Sequence, residues 1–421
     1  MPNYQVTGND YLSLPTIRET DGAIEGVTFL MMQLKGLLEL RGDNALAAPY
    51  LTVNGAPATL APAWQREHCW IPSFDASFGG ASLRCTYLTP VGERAFGLRM
   101  TVKNEAAAPM AVRFGARGQW DRTLHEINET TELPLGREVK KSGWNGLFVW
   151  SQKPGTPLFA FAPVVSDNQP FSEFDQQAKC DWADFHYDLY REATLAAGES
   201  VTLDIFYGVG YEEVAAATSA KELLRQGFDA LHARTAAWLA SREKPVSDPA
   251  LHTLLNTNLF FAFFYASGRT VDTEELCLMT SRSPRYYVSA AYWDRDSLLW
   301  AFPAILTADA AYAREILTYV FTRQARNFGV HSRYIDGTTL EPGFELDELC
   351  APVVALRRHT ESVTDLTPLE WQALHAQIAL ATRLLARAFQ PDHFNYAFLQ
   401  NQDRHVHLHV IPRYAAPRIF A

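Results

Sequence analysis

A chain of 421 residues with 48% hydrophobic and 12% aromatic content is long enough for two or three domains with sizeable cores, which excludes disorder as its default state. Its net charge of −10 excludes a nucleic-acid scaffold, because binding a phosphate backbone requires concentrated Lys and Arg. No stretch approaches the roughly 18 uninterrupted apolar residues of a membrane-crossing helix, and the start, MPNYQVTGNDYLSLP, lacks a basic segment followed by an apolar run. The expected setting is therefore the cytoplasm, with small or neutral partners, no nucleic acid and no membrane. Five scattered cysteines (Cys69, Cys85, Cys180, Cys277, Cys350) show no CxxC or Cys/His spacing. They are read as reduced, buried thiols, and neither a metal nor a cofactor is expected.

From about residue 25 to 210 the dominant period is two. Phe96, Leu98, Met100 and Val102 alternate with Arg99, Thr101 and Lys103, and Val201, Leu203, Ile205 and Tyr207 repeat the pattern. Turn signals such as Asn54-Gly55 and Ala197-Gly198 separate the strands, and no helix intervenes, so the spacing predicts an antiparallel β-sandwich over 1–215. Near residue 219 the period changes. Ser219 and Glu222 read as a capping box, and Leu224, Phe228, Leu231 and Trp238 recur at helical spacing, giving a linker helix over 216–247. Asp248-Pro249 then opens a very apolar helix, LHTLLNTNLFFAFFYAS, and further helices are expected at about 294–307, 308–325 and 345–360.

Two stretches in this helical segment carry chemistry. The first, SRSPRYYVSAAYWDRDSLLWAFPAIL, gathers Tyr292, Trp293, Asp294, Arg295, Asp296 and Trp300 where a loop enters an apolar helix. Sugars need this mixture: aromatic faces cover C–H patches while carboxylate and guanidinium groups satisfy hydroxyls. An Asp N-cap with an Arg ion pair is the plainer reading of the same residues. The second, HSRYIDGTTLEPGFELDELCAPVVAL, carries Asp336, Glu341, Glu345, Asp347 and Glu348. Such runs commonly form solvated faces, yet Glu345 and Glu348 stand at i and i+3 and could share a cleft. Glycosidic cleavage generally needs one acidic and one basic carboxyl.

The order of sandwich, linker helix and apolar helices, followed by YWDRDSLLW and GFELDELCAPVVAL, resembles the six-hairpin glycosidases of glucoamylase and debranching type over about 25–362. The resemblance implies that Trp293, Arg295 and Asp296 hold a terminal sugar. It also implies that Leu346, Asp347 and Glu348 line the same funnel, which makes Asp347 and Glu348 the candidate catalytic carboxylates and Glu345 a further sugar contact. Twelve helices of about 12 residues with connections of about 5 need roughly 200 residues. Residues 248–362 offer about half that, so the expected toroid is an incomplete (α/α)6 domain.

The last segment ends in RHVHLHVIPRY. On an extended strand His405, His407 and His409 share one face, with Val406, Leu408 and Val410 on the other. Upstream, Thr367-Pro368-Leu369-Glu370 reads as a capping box before a helix to about Phe389. The segment from LTPLEWQALHAQ onward resembles the C-terminal half of a histidine triad (HIT) nucleotide hydrolase or transferase. That resemblance implies His407 as a nucleophile toward an α-phosphate, His405 and His409 as its supports, and Gln400 and Asn401 as phosphate contacts, with a nucleotide as partner. Imidazole is a competent nucleophile at neutral pH, while a metal comb or a packed surface strand fits the same pattern.

The whole chain is thus expected to be a multidomain α and β protein: an N-terminal antiparallel β-sandwich (1–215), a linker helix (216–247), an incomplete (α/α)6 toroid (248–362) and a partial α+β HIT-like module (363–421). Its expected function is that of a glycoside hydrolase-like protein acting on or binding a carbohydrate through a carboxylate and aromatic cleft, catalytically incomplete. Self-association is expected through apolar helix faces that a full toroid would bury. A HIT-type nucleotidyl hydrolase, or a non-catalytic carbohydrate-binding remnant or fusion product, are the alternatives.

Overall fold

The computed structural model describes residues 3–127, 129–133, 137–141, 148–152, 160–166, 186–354, 368–399 and 407–414. They fall into two compact units, Met1–Phe344 and Glu345–Ala421.

Three antiparallel sheets build the first part of the larger unit. One has six strands, running in the order Tyr4–Gly8, Leu12–Arg18, Gly26–Met31, Gly36–Arg41, Arg122–Ile127 and Glu129–Glu132. An eight-stranded sheet contains Ala95–Asn104 at its centre between Ser200–Gly210 and Ala81–Leu88, with Met100 opposite both Leu203 and Cys85. The third pairs His186–Leu195, Met110–Gln119, Ala48–Val53 and Ala56–Pro57. All three contribute to one core, which includes Leu38, Phe96, Met100, Phe114, Leu189 and Leu203. The two-residue period survives in detail: Phe96, Leu98, Met100 and Val102 are fully buried, whereas Arg99, Thr101 and Lys103 are not. Alternating apolar residues bury one face of a pleated strand, and that burial is the main driving force for the sheets.

Helix begins earlier than the sequence suggests. It starts at Glu213, after the extended residue Glu212, and runs to Gln226; Ser219 lies in its middle. Glu222 bonds Arg225, one turn on, rather than capping a terminus. The early start follows from packing. Ala216, Ala217 and Ala220 are fully buried against the strand Ser200–Gly210, where a Cβ added at Gly208 would sit 2.1 Å from the Ala216 carbonyl oxygen. Small residues on both elements let the backbones approach. Gly227, at φ 81°, ends this helix, and a second follows at Phe228–Ala240.

Asp248 caps the next helix, Pro249–Phe264, by accepting from the Leu251 amide at 2.8 Å, with proline in the first turn as expected. Its aromatic end packs on the sheets. Trp70 is 1% exposed and lies 5.5 Å, ring centroid to centroid, from both Phe261 and Phe264. Burying that one ring is worth at most about 5 kcal/mol. Arg282 crosses the same junction, fully buried, donating to the carbonyls of Asn9 (2.7 Å) and Phe264 (3.1 Å).

Two hairpins and two helices complete this unit. Ser267–Arg269 pairs with Leu276–Leu278, and Val330–Arg333 with Thr339–Phe344. The helix that starts at Asp296 opens with a wide π turn over Asp296–Ala301, in which the Phe302 amide reaches back to the Ser297 carbonyl, and continues as Phe302–Ala308. Pro303 lacks an amide hydrogen and its ring crowds the carbonyl four residues back, so an ordinary α turn is disfavoured there. Ala310–Tyr319, capped by Asp309, runs on through a second wide turn, Val320–Gln324.

The smaller unit contains the helix Leu346–Val354, the helix Pro368–Phe389, and an antiparallel pair, His393–Leu399 with His407–Arg413. The longer helix packs on the second strand of the pair and buries Leu374 and Leu385. Among the described residues, no helix is long and apolar enough to cross a membrane. Of the thiols, Cys85 and Cys277 are buried as expected, Cys69 is half-buried and Cys350 exposed; Cys180 lies outside the described residues. Folding also makes a Cys/His neighbour that spacing does not show, Cys69 Sγ lying 3.9 Å from His252 Nδ1.

Candidate functional site

The loop ahead of the wide turn is fixed from behind. Tyr292 and Arg333 exchange backbone hydrogen bonds, 2.8 Å from the Tyr292 amide and 3.0 Å from the Arg333 amide, which ties the loop to the strand Val330–Arg333. Beneath this bridge Asp294 and Arg333 form an ion pair in which both side chains are fully buried. Asp294 also accepts from Tyr292 Oη at 2.8 Å, and Arg333 donates to the carbonyls of Gln324 and Asn327, each at 3.1 Å. Burial pushes the Asp294 carboxyl up, against the opposing pull of Arg333 and of the tyrosine hydrogen bond. A charge so thoroughly enclosed is a strut, not a ligand.

Its neighbours face the other way. Trp293, Arg295 and Asp296 line a cavity of about 240 Å³ with Thr280, Tyr286, Tyr287, Val288, His331 and Glu341. Arg295 Nη2 lies 3.2 Å from Asp296 Oδ2, so the fork and the carboxylate are presented together. On the opposite hairpin, Glu341 accepts from Ser332 Oγ at 2.8 Å and lies 3.5 Å from His331 Nε2. The His331 ring stands edge-on to Trp293, with centroids 5.7 Å apart. The Tyr286 ring lies 5.0 Å from that of Tyr287, centroid to centroid and tilted by 51°, and its hydroxyl pKa is raised by burial first, then by Tyr287 and Asp296. This set offers an aromatic face, two carboxylates, a guanidinium and an imidazole around a space of monosaccharide scale.

Thr280, Tyr286 and Asp296 also form one end of a second, larger cavity of about 490 Å³. It runs between the helix Pro249–Phe264 and the segment Asp296–Ala308, with Leu255, Leu259, Ala262, Trp300 and Ala304 in its walls.

The structure thus brings Trp293, Arg295 and Asp296 together. It adds His331, Glu341, Tyr286 and Tyr287, which sequence reading left out of the site. The signal for the first two was the Asp336-Gly337 turn: a hairpin closed there sets Ser332 opposite Glu341. Asp336 itself serves that turn, accepting from Thr338 and pairing with Lys35 at 3.4 Å. Glu345, Asp347 and Glu348 belong to the smaller unit, where their carboxylate oxygens lie within 4.8 Å of one another; Glu348 is buried. Such a group can hold a cation or a set of hydroxyls. His407 and His409 stand two apart on one strand, opposite Leu399 and Ala397. His405, Gln400 and Asn401 lie outside the described residues.

No family model and no curated protein matches the sequence. Solved structures do. A protein assigned as a kojibiose phosphorylase from the human microbiome aligns with 96% of this chain and 60% of its own, at 11% identity and a TM-score of 0.53. A bacterial glucoamylase solved with acarbose aligns with 91% of this chain and 63% of its own, at 11% identity and a TM-score of 0.49. The chain therefore spans about three-fifths of the length of these structures. The comparisons lend no support to the histidine-triad expectation. The phosphorylase, at a TM-score of 0.53, shares its fold with this chain.

Proposed function

We propose that this protein is a glycoside hydrolase-like protein that binds a carbohydrate in the 240 Å³ cavity and is weak or incomplete as a catalyst. The observation that carries the reading is that Trp293, Arg295 and Asp296 all line that one cavity while Asp294, between them, is buried as their support. Trp293 covers a sugar's C–H face, and Arg295 with Asp296 satisfies adjacent hydroxyls in donor–acceptor pairs. Glu341 and His331 serve the opposite rim. Glycosidases hold their two carboxyl groups at least about 5 Å apart, with the scissile bond between them. Asp347 and Glu348, with Glu345 beside them, are the carboxylates this reading assigns to acid–base work, and oxygens within 4.8 Å of one another are closer than the separation such a pair needs.

Calorimetric titration with glucose, maltose, kojibiose and acarbose tests the proposal. At least one should bind, and Trp293→Ala and Asp296→Asn should each weaken it tenfold or more. Asp347→Asn with Glu348→Gln should abolish any residual glycoside turnover and leave that binding in place. Binding indifferent to both Trp293→Ala and Asp296→Asn, or rapid turnover unaffected by the carboxylate pair, would overturn the reading.

A further inference from the structure

The larger cavity is unlike its neighbour in chemistry, and the difference identifies what it takes. Its walls include Leu255, Leu259, Ala262, Trp300 and Ala304, and several of the polar residues among them are already engaged, Thr280 Oγ1 donating to the Ala291 carbonyl at 2.6 Å and Thr307 Oγ1 to that of Ala304 at 2.8 Å. Lys244 Nζ donates to the Thr307 carbonyl at 2.7 Å, and Asn258 Nδ2 to the Leu254 carbonyl at 2.7 Å. A second sugar ring in this space would lose water from its hydroxyls and find few partners in exchange. An apolar group loses nothing by entering. At about 490 Å³ the cavity lies within the roughly 300–1,000 Å³ range of small-molecule sites.

It also adjoins the polar cavity. Thr280, Tyr286 and Asp296 line both, so a ligand whose hydroxyls meet Asp296 on one side has an apolar space beside it on the other. Trp300, 68% exposed, and Leu255, 42% exposed, stand at the margin of that space and would be covered by what fills it.

We propose that the larger cavity is an aglycone compartment, which takes the alkyl or aryl group of a glycoside whose sugar occupies the cavity of Trp293, Arg295 and Asp296. This rests on the carbohydrate reading above and narrows it to glycosides with an apolar aglycone.

Methyl and octyl glucosides of both anomers, titrated below the micelle concentration, test it. A fully buried methylene is worth about fourfold in affinity. If half of each methylene's surface leaves water, seven methylenes make octyl glucoside bind about 100-fold tighter than methyl glucoside. Ala304→Trp, which fills the larger cavity, should remove most of that gain while leaving methyl glucoside within about threefold of wild type. Leu255→Ser serves as a second variant at an exposed position and should reduce the gain without disturbing the fold. Asp296→Asn should weaken both ligands.

Equal affinity for the methyl and octyl compounds would overturn the aglycone compartment and leave the sugar site standing. Octyl binding that survives Asp296→Asn, or equal binding of an octyl polyoxyethylene ether, would also overturn it, since the larger cavity would then be a bare apolar site. So would a dimer, seen by sedimentation, that Ala304→Trp dissociates, because the larger cavity would then be covered by a second copy. No binding of either glucoside by a protein that binds one of the sugars titrated above would overturn the aglycone compartment alone, whereas no binding of any of these ligands would remove both readings together.

Discussion

Replacing Arg333 by Met removes the charge that Asp294 faces and leaves a fully buried carboxylate, still accepting from the Tyr292 hydroxyl, without that ion-pair partner. Taking away one partner of a buried pair costs about 3–5 kcal/mol, because the other charge stays out of water. The cost should depend on pH. Burial already raises the Asp294 carboxyl in the intact protein, and losing Arg333 raises it further. A carboxyl whose folded pKa exceeds its unfolded value holds its proton more tightly when folded. The deficit relative to the intact protein is therefore complete above the variant's folded pKa, shrinks by about 1.4 kcal/mol for each pH unit below it, and levels off once the pH falls below the raised pKa of Asp294 in the intact protein. The amides of Tyr292 and Arg333, which bond each other's carbonyls, report the local opening directly by hydrogen exchange. Their protection should fall by more at pH 7.5 than at pH 5. The double variant Asp294→Leu, Arg333→Met should recover most of the loss. Protection within about 0.5 kcal/mol of wild type in Arg333→Met, or a loss equal at both pH values, would refute the argument that an uncompensated buried charge sets the cost.

Three further outcomes are expected. Gly208→Ala places a Cβ 2.1 Å from the Ala216 carbonyl oxygen and 2.6 Å from the Ala220 amide, both backbone atoms that cannot rotate aside. It should destabilise the larger unit by about 3 kcal/mol, read as a lowered thermal midpoint. Native-state alkylation followed by mass spectrometry should modify Cys350 and Cys69 before Cys85 and Cys277. Burial pushes all four thiols up but the latter two furthest, and their lag should persist as the pH rises. Adenosine phosphoramidate should be hydrolysed no faster by the wild-type chain than by His407→Ala; a rate abolished by that substitution would restore the nucleotidyl reading of the terminal strand.

The sheets were legible because burying one face of a pleated strand writes itself into every second residue, as at Phe96, Leu98, Met100 and Val102. The Asp248 cap was legible for a similar reason: it lies within four adjacent residues, Asp248 to Leu251. The start of the helix at Glu213 was not. It is set by contact with Gly208 on a strand, and a distant glycine leaves no mark on the helix's own period. The site divided along the same line. WDRD announced a charged and aromatic loop, but nothing in that string distinguishes Asp294 from Asp296. Only the fully buried Arg333, contributed by a later hairpin, makes the first a strut and frees the second for the cavity. His331 and Glu341 required pairing two strands across a turn, which is legible only after the hairpin is assumed.

The wide turn over Asp296–Ala301 carries one more residue than an α turn would. Deleting a single residue between Ser297 and Trp300 would convert it to an ordinary turn and leave Phe302 and Ile305, both buried, in register with their packing. On the other flank the same deletion would swing Asp296 relative to the cavity it lines. In most helices a change in chain length turns every later side chain by about 100° and is paid for in the core. Here length variation is absorbed before it reaches the packed face. The segment is a place where the loss of one residue can reshape the cavity wall while the packed face is kept.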